Sequence, residues 1–311
     1  MAKFFDLAKN DGSLLEGNGD LYYEFGCPPF SVIDTKTLDW KFRKQTWLSK
    51  GINGGLGRNN RLIYTQENID QSSETFASRK REAATSLFDP VLCELLYRWF
   101  CPKDGVIIDP FAGGITRGAV ASLLNYRYFG VDLSEKQIKE NIRQAAPMCK
   151  PLRAQWILGD SYKLLKLLKQ NHCAESDMVI SCPPYFDLEQ YSDDPSDLSN
   201  MTWGDFLHSY SKIIGQCCQH LKNNRFACFV LNDVRNSKTG CYYGLIHKTI
   251  QAFEDNGLPL YNHAILLNPT GLAAMKAKRT FNGGRKLIGC HQHVLVFLKG
   301  DWKKATQACK G

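Results

Sequence analysis

Hydrophobic and polar positions fall into a regular alternation from about residue 85 onward. Asp89-Pro90 is a cap followed by a proline suited to a first helical turn. After it, Val91, Leu92, Leu95, Leu96 and Trp99 recur at the three- and four-residue spacing of a helix with one buried face. Gly105-Val-Ile-Ile-Asp109 then reads as a short apolar strand, and Arg117 to Leu124 as a helix. Tyr128 to Asp132 predicts a second strand, followed by a helix capped at Ser134 and running to about Ala145. Gln155 to Leu158 is a third strand, Tyr162 to Leu168 a helix, and Asp177 to Ser181 a fourth strand. Trp203 to Leu221 has the length of a long helix, Phe226 to Leu231 is a fifth strand, and Tyr243 to Glu254 is a helix. Tyr261 to Leu267 and Val294 to Leu298 close the pattern as a final hairpin.

Strands alternating with helices predict an α/β fold: a doubly wound, Rossmann-like, mostly parallel sheet of seven strands, covered on both faces, with the last strands free to run antiparallel. Residues 1–84 differ. They are irregular and rich in aromatic, Gly, Asn and basic residues, and Gly51 to Asn60 reads as a loop. The expected division is an N-terminal extension (1–84), the main domain (85–303) and a short tail (304–311).

Composition narrows the class. The chain has 311 residues, of which 43% are hydrophobic, enough for a real core. No apolar run approaches the ~20 residues that cross a bilayer, and the first residues carry no signal-peptide pattern. A cytoplasmic setting in a bacterial or phage-infected cell, without membrane association, is therefore expected. Twelve cysteines include no CxxC pair. Cys290-His291-Gln292-His293 is the one hint of metal ligation and has no matching partner pair, so no metal site is expected. The formal charge of +8 permits a polyanionic partner without demanding one.

Ligands of doubly wound sheets bind at the carboxyl ends of the strands, where the strand order reverses. The first strand ends in Asp109-Pro110-Phe111-Ala112-Gly113-Gly114, and two glycines let backbone approach a bulky ligand. Asp132, with Leu133, ends the second strand where a carboxylate can accept from ribose hydroxyls. Asp160-Ser161 follow the third strand, within reach of an adenine amino group, and Ser181 ends the fourth. NAD is the rival ligand, but no GxGxxG opens the helix. The stiff Pro110-Phe111 turn suits an adenosyl group better than a pyrophosphate.

The fourth strand runs into Cys182-Pro183-Pro184-Tyr185-Phe186. Two prolines fix the backbone and remove two donors, leaving carbonyl oxygens to face a ligand. Tyr185 and Phe186 offer flat faces for a base. Acceptors on the two protons of an exocyclic amine would restore the nucleophilicity that its ring withdraws. Cys27-Pro28-Pro29-Phe30 has similar letters, but no apolar strand leads into it, and it reads as a loop turn.

DPFAGG, VDLS, GDS and SCPPY together resemble the DNA amino-methyltransferase family, whose members methylate adenine N6 or cytosine N4 from S-adenosylmethionine; the likeness spans residues 85–300. The resemblance implies that Phe111, Gly113 and Asp132 hold the cofactor, with Asp160 near its adenine and Ser86, Leu87 and Phe88 near its methionine end. It implies that Cys182, Pro183, Pro184 and Tyr185 receive a base flipped from double-stranded DNA. It also suggests a phage or mobile-element enzyme. Two positions depart from the pattern. Ile115 stands where the family has a further glycine, and Cys182 stands where it has Asp, Asn or Ser. A thiol is a weak acceptor. Three alternatives remain: pyrimidine C5 methylation with Cys182 as nucleophile, methylation of RNA, and a binding module without catalysis. The segment from Asp187 to Asn200 is too acidic to lie on phosphate and is expected to shape the pocket. Lys276, Lys278, Arg279, Arg285 and Lys286, in an expected mobile loop, and the N-terminal extension are the candidate nucleic-acid contacts.

Overall fold

Strand positions that alternate in sequence part to opposite sides of one sheet, and this builds two cores. In the computed structural model, which describes residues 19–57, 87–186, 194–269 and 273–310, the elements follow in order. They are α1 (Gly19–Phe25), β1 (Val32–Asp34), α2 (Leu38–Leu48), α3 (Pro90–Phe100), β2 (Val106–Asp109), α4 (Thr116–Leu123), β3 (Arg127–Asp132), α5 (Glu135–Met148) and β4 (Ala154–Leu158). There follow α6 (Leu164–Gln170), β5 (Ser176–Ser181), α7 (Trp203–His220), β6 (Leu221–Leu231), α8 (Leu245–Glu254), β7 (Leu260–Leu267), α9 (Ala273–Gly284), β8 (His291–Lys299) and α10 (Trp302–Cys309).

The strands form one sheet of eight in the order β1-β7-β8-β6-β5-β2-β3-β4. Among the described strands β8 alone runs antiparallel, against both β6 and β7. On one face Ile107, Met178, Ile180, Cys228, Val230, Val294 and Val296 pack with residues of α2, α3, α4, α5 and α10. On the other face their neighbours Ile108, Val179, Ala227, Phe229, Leu295 and Phe297 pack with α6, α7 and α8. The period-two pattern thus sorts each strand into two cores.

The order reverses between β2 and β5. From β2 the chain winds outward through β3 and β4, then returns to lay β5 on the other side of β2. The carboxyl ends of β2 and β5 therefore flank the crevice where such sheets take ligands.

Four features differ from the sequence expectation. The sheet has eight strands rather than seven, because Val32–Asp34 adds a parallel edge strand beside β7. The N-terminal segment is not irregular where it is described: α2, capped by Thr37, packs on α3. Its Arg43 and Trp47 both donate to Glu94, at 2.8 Å and 2.7 Å for the closest contacts to Oε2. The expected basic loop contains helix α9, and residues 304–309 of the expected tail belong to α10, capped by Asp301 and seated through Ala305. Cys27 to Phe30 is a turn leading into β1, as its sequence context predicts. No described helix is long and apolar enough to cross a membrane.

Candidate active site

The loop after β2 is held from beneath by one carboxylate. Asp109 is fully buried and accepts from the Ser181 hydroxyl at 2.6 Å, the Tyr128 hydroxyl at 2.8 Å and the Phe111 N–H at 3.0 Å. Its second oxygen also receives the Arg117 guanidinium, which in turn donates to the carbonyls of Phe111 and Ala112. Burial acts against the charged guanidinium, but Asp109 beside it raises the Arg117 pKa still further above its ordinary value. The ion pair locks the Phe111–Ala112 backbone in place.

Above this support the loop presents bare backbone. Gly113 has φ of 53°, a region that favours glycine, and a Cβ there would meet no protein atom within 4 Å. Its N–H donates to Asp132 Oδ2 at 2.8 Å, and the Ser134 N–H donates to Oδ1 at 2.8 Å. Each carboxylate oxygen has a second lone pair, so Asp132 keeps acceptor capacity for a ligand. Burial pushes the Asp132 carboxyl above the usual Asp value, partly opposed by those two N–H groups. The Gly113 carbonyl accepts from Asn141 Nδ2 at 2.8 Å, and Ser161 Oγ donates to the Pro110 carbonyl at 2.5 Å.

A cavity of about 390 Å³ opens over the loop. It is lined by Leu87, Phe88, Pro110, Phe111, Gly113, Gly114, Asp132, Leu133, Asp160 and Ser161, together with Cys182, Pro183, Pro184 and Tyr185. Both sets expected from the sequence thus meet in one space. Asp109, Ala112 and Ser181 are buried and do not line it, and Asp109 and Ser181 support the loop from beneath. Ser86 and residues 187–193 lie outside the described residues.

Phe186 was expected to offer a face to a base, but the structure gives it another place. It is buried with φ of 53°, its ring edge-on to Trp203, Phe206 and Tyr243 at 5.0–5.3 Å between centroids. A bulky residue held in the left-handed region is strained, and the surrounding aromatic packing sustains it. Phe186 therefore anchors the turn and leaves Tyr185 as the aromatic group that the turn presents to the cavity.

Several lining residues were not foreseen. Gly54 and Gly57 come from the loop after α2; a Cβ on Gly114 would lie 2.9 Å from the Gly54 carbonyl oxygen, so the N-terminal loop sits directly on the loop after β2. Gln137 Nε2 donates to the Leu56 carbonyl at 3.0 Å and ties that loop to α5. Asp194 and Asp197 enter from the segment after the Cys182–Phe186 turn, the region whose acidity suggested a pocket wall. Among the described lining residues, Asp132, Asp160, Asp194 and Asp197 face a single cation, Arg117, whose guanidinium is paired with Asp109. Such a lining attracts a cationic ligand and opposes a pyrophosphate.

The basic candidates lie elsewhere. Lys276, Lys278 and Arg279 are exposed on α9, and exposed Arg285 and half-buried Lys286 follow it; none lines the cavity. Because β7 and β6 both run antiparallel to β8, and β6 is parallel to β5 and β2, α9 follows β7 at the same edge as the ends of β2 and β5. His263 of β7 and His293 of β8 are in contact, 2.7 Å between ring nitrogens. Among the described residues no group of three His, Cys, Asp or Glu side chains is arranged to hold a metal.

No family model matches the chain, and no curated protein matches it. Among solved structures, TrmN from Thermus thermophilus aligns with a TM-score of 0.44 at 15% identity, over 68% of this chain and 49% of that one. The chain therefore spans about half the length of that structure. A methyltransferase from Pyrococcus furiosus aligns with a TM-score of 0.43 at 14% identity, over 69% of this chain and 85% of that one. An rRNA methylase from Streptococcus thermophilus aligns with a TM-score of 0.41 at 10% identity, over 70% and 100%.

Proposed function

We propose that this chain is an S-adenosylmethionine-dependent methyltransferase that methylates the exocyclic amino group of adenine (N6) or cytosine (N4) in DNA. The observation that carries the reading is the single cavity joining the Gly113 loop and Asp132 to the Cys182–Tyr185 turn across the switch point. S-adenosylmethionine fits the residues present: bare backbone at Gly113, an acceptor at Asp132 for ribose hydroxyls, and a carboxylate-rich lining for a sulfonium and an ammonium group. Bound there, the cofactor supplies an electrophilic methyl group. Asp160 would accept from its adenine amino group, and Leu87 and Phe88 would flank its other end.

The protein's share of the chemistry is positional. Pro183 and Pro184 have no N–H to compete for an incoming amine, so the carbonyl oxygens of the turn can accept its protons. Cys182 adds only a weak acceptor, which shifts this work to the backbone. Tyr185 gives the base a flat wall. Reaching such a turn requires the base to leave the stack. The cations of α9 and those after it would hold phosphates at the same edge. The N-terminal extension would carry sequence recognition.

Nucleoside mass spectrometry of DNA and RNA from cells expressing the protein tests the reading, against an empty-vector control. The expected result is N6-methyladenine or N4-methylcytosine in DNA. A new 5-methylcytosine would instead make Cys182 a nucleophile. Methylation confined to RNA would replace the substrate, and no new nucleoside in either would remove the catalytic reading.

A further inference from the structure

The Tyr185 hydroxyl is held by a residue from two strands away in the sheet. Gln292 Nε2 donates to it at 2.8 Å, and the same oxygen lies 3.6 Å from Cys182 Sγ. Gln292 is the second residue of β8, and β6 separates β8 from β5, so the contact spans an intervening strand. The register explains how. The ladder between β6 and β8 ends at Leu231 opposite His293, so Gln292 lies one residue past that last pair and can pass over the end of β6. This end of β8 is itself fixed, because Asn232 Nδ2 donates to the His291 carbonyl at 3.0 Å.

A phenol oxygen has one hydrogen to give and two lone pairs to receive. The Gln292 amide fills an acceptor site and leaves the phenol hydrogen to point at another group, for which the Cys182 sulfur is in reach. With its backbone gripped by the Phe186 anchor and its hydroxyl gripped by Gln292, the Tyr185 ring is fixed at both ends. We infer that Gln292 is a positioning residue: by holding the Tyr185 hydroxyl it sets both the wall against which the target base lies and the placement of the Cys182 sulfur. The part about the base rests on the proposed methyltransferase reading; the part about the sulfur does not.

Two measurements test the inference on the full chain. The first needs no substrate: site-resolved alkylation of Cys182 by iodoacetamide, followed by peptide mass spectrometry, with exposed Cys241 and Cys290 as internal references. Tyr185→Phe and Gln292→Ala are expected to change the Cys182 rate by a similar several-fold factor, leave the references unchanged, and show no added effect when combined. Gln292→Glu, whose carboxylate accepts the phenol hydrogen instead of donating to the oxygen, keeps the hydroxyl held but turns that hydrogen away from the sulfur, so it should change the Cys182 rate and keep more of the turnover than Gln292→Ala does. The second reads turnover on methylatable DNA. Gln292→Ala should lower kcat by about tenfold through misplacement of the ring, with cofactor affinity unchanged and no further loss in a Tyr185→Phe background. A wild-type Cys182 rate in Gln292→Ala beside an altered rate in Tyr185→Phe would overturn the inference, as would additive effects of the two changes. Failure of methyl transfer alone, with the alkylation pattern as expected, would count against the methyltransferase reading and leave the sulfur contact standing.

Discussion

Ser181 donates its hydroxyl to the Asp109 carboxylate at 2.6 Å, and this bond ties the ends of β5 and β2 together across the switch point. The two halves of the proposed site, the cofactor loop and the base-receiving turn, hang from those strand ends. Ser181→Ala should cost about 1.5–3 kcal/mol, the range for losing a hydrogen bond to a charged group. Asp109→Ala should cost more, about 3–5 kcal/mol, because it strands the Arg117 guanidinium in the core. Urea titrations followed by circular dichroism give both values. Equal costs would contradict the view that Asp109 is the hub.

Asp132 predicts a pH dependence. Its carboxyl is raised by burial, so it takes up a proton at higher pH than an ordinary Asp, for which protonation centres near pH ~4. For folding, a raised carboxyl favours the native state only at low pH, where it is protonated, and that gain is lost as pH rises through the raised value. Cofactor binding has the opposite sign, since ribose hydroxyls need the ionised acceptor. Affinity for S-adenosylmethionine should therefore fall as pH drops toward that raised value, earlier than an unperturbed Asp would allow. Asp132→Ala should weaken binding by about tenfold or more and flatten the profile. Calorimetric titrations across the acid range check both.

The N-terminal segment should prove part of the fold. Burial alone would raise the Glu94 carboxyl, but Arg43, Arg98 and the Trp47 N–H together lower it. A lowered carboxyl stabilises the native state at neutral pH, and that stability is lost as pH falls through its folded value. Glu94→Ala should cost about 3 kcal/mol, since Arg43 is left facing a buried site. Deleting residues 1–57 removes Arg43 and Trp47 together and uncovers α3. A lowered melting temperature is the expected outcome; an unchanged one would show that α2 is only an attachment.

Replacing Lys276, Lys278 and Arg279 with Ala separates nucleic-acid binding from cofactor binding. If α9 contacts duplex phosphates, the slope of log affinity against log salt should fall by about 0.9 for each contact removed. S-adenosylmethionine affinity should stay the same, because none of the three lines the cavity. Cys182→Ser is a complementary test. It should keep or improve amino methylation, as a hydroxyl accepts better than a thiol, whereas a thiolate mechanism would stop.

The central fold was readable because β2, β3, β5 and the Phe226–Leu231 half of β6 carry short apolar runs whose neighbouring residues face opposite cores. The pairing of the Gly113 loop with Asp132 and the Cys182 turn could be read for the same reason: each motif ends a strand. What stayed hidden lacked a periodic face or depended on distant partners. β1 has three residues at an edge, too few for a pattern. α9 buries none of its side chains, so no apolar stripe marks it. The role of Asp109 depends on Arg117, Tyr128 and Ser181 converging in three dimensions, and the letters DPF alone do not distinguish a ligand contact from a buried support. Gln292 reaches Tyr185 across 107 residues of sequence and one intervening strand.

The central claim is that the cavity above Gly113 is a site for S-adenosylmethionine, and calorimetric titration of the purified protein tests it most directly. S-adenosylmethionine should bind saturably at one site per chain and NAD should not bind. Gly113→Val, which places a branched side chain on the bare backbone, should abolish the binding. Tight binding of NAD, or S-adenosylmethionine affinity indifferent to Gly113→Val, would contradict the account.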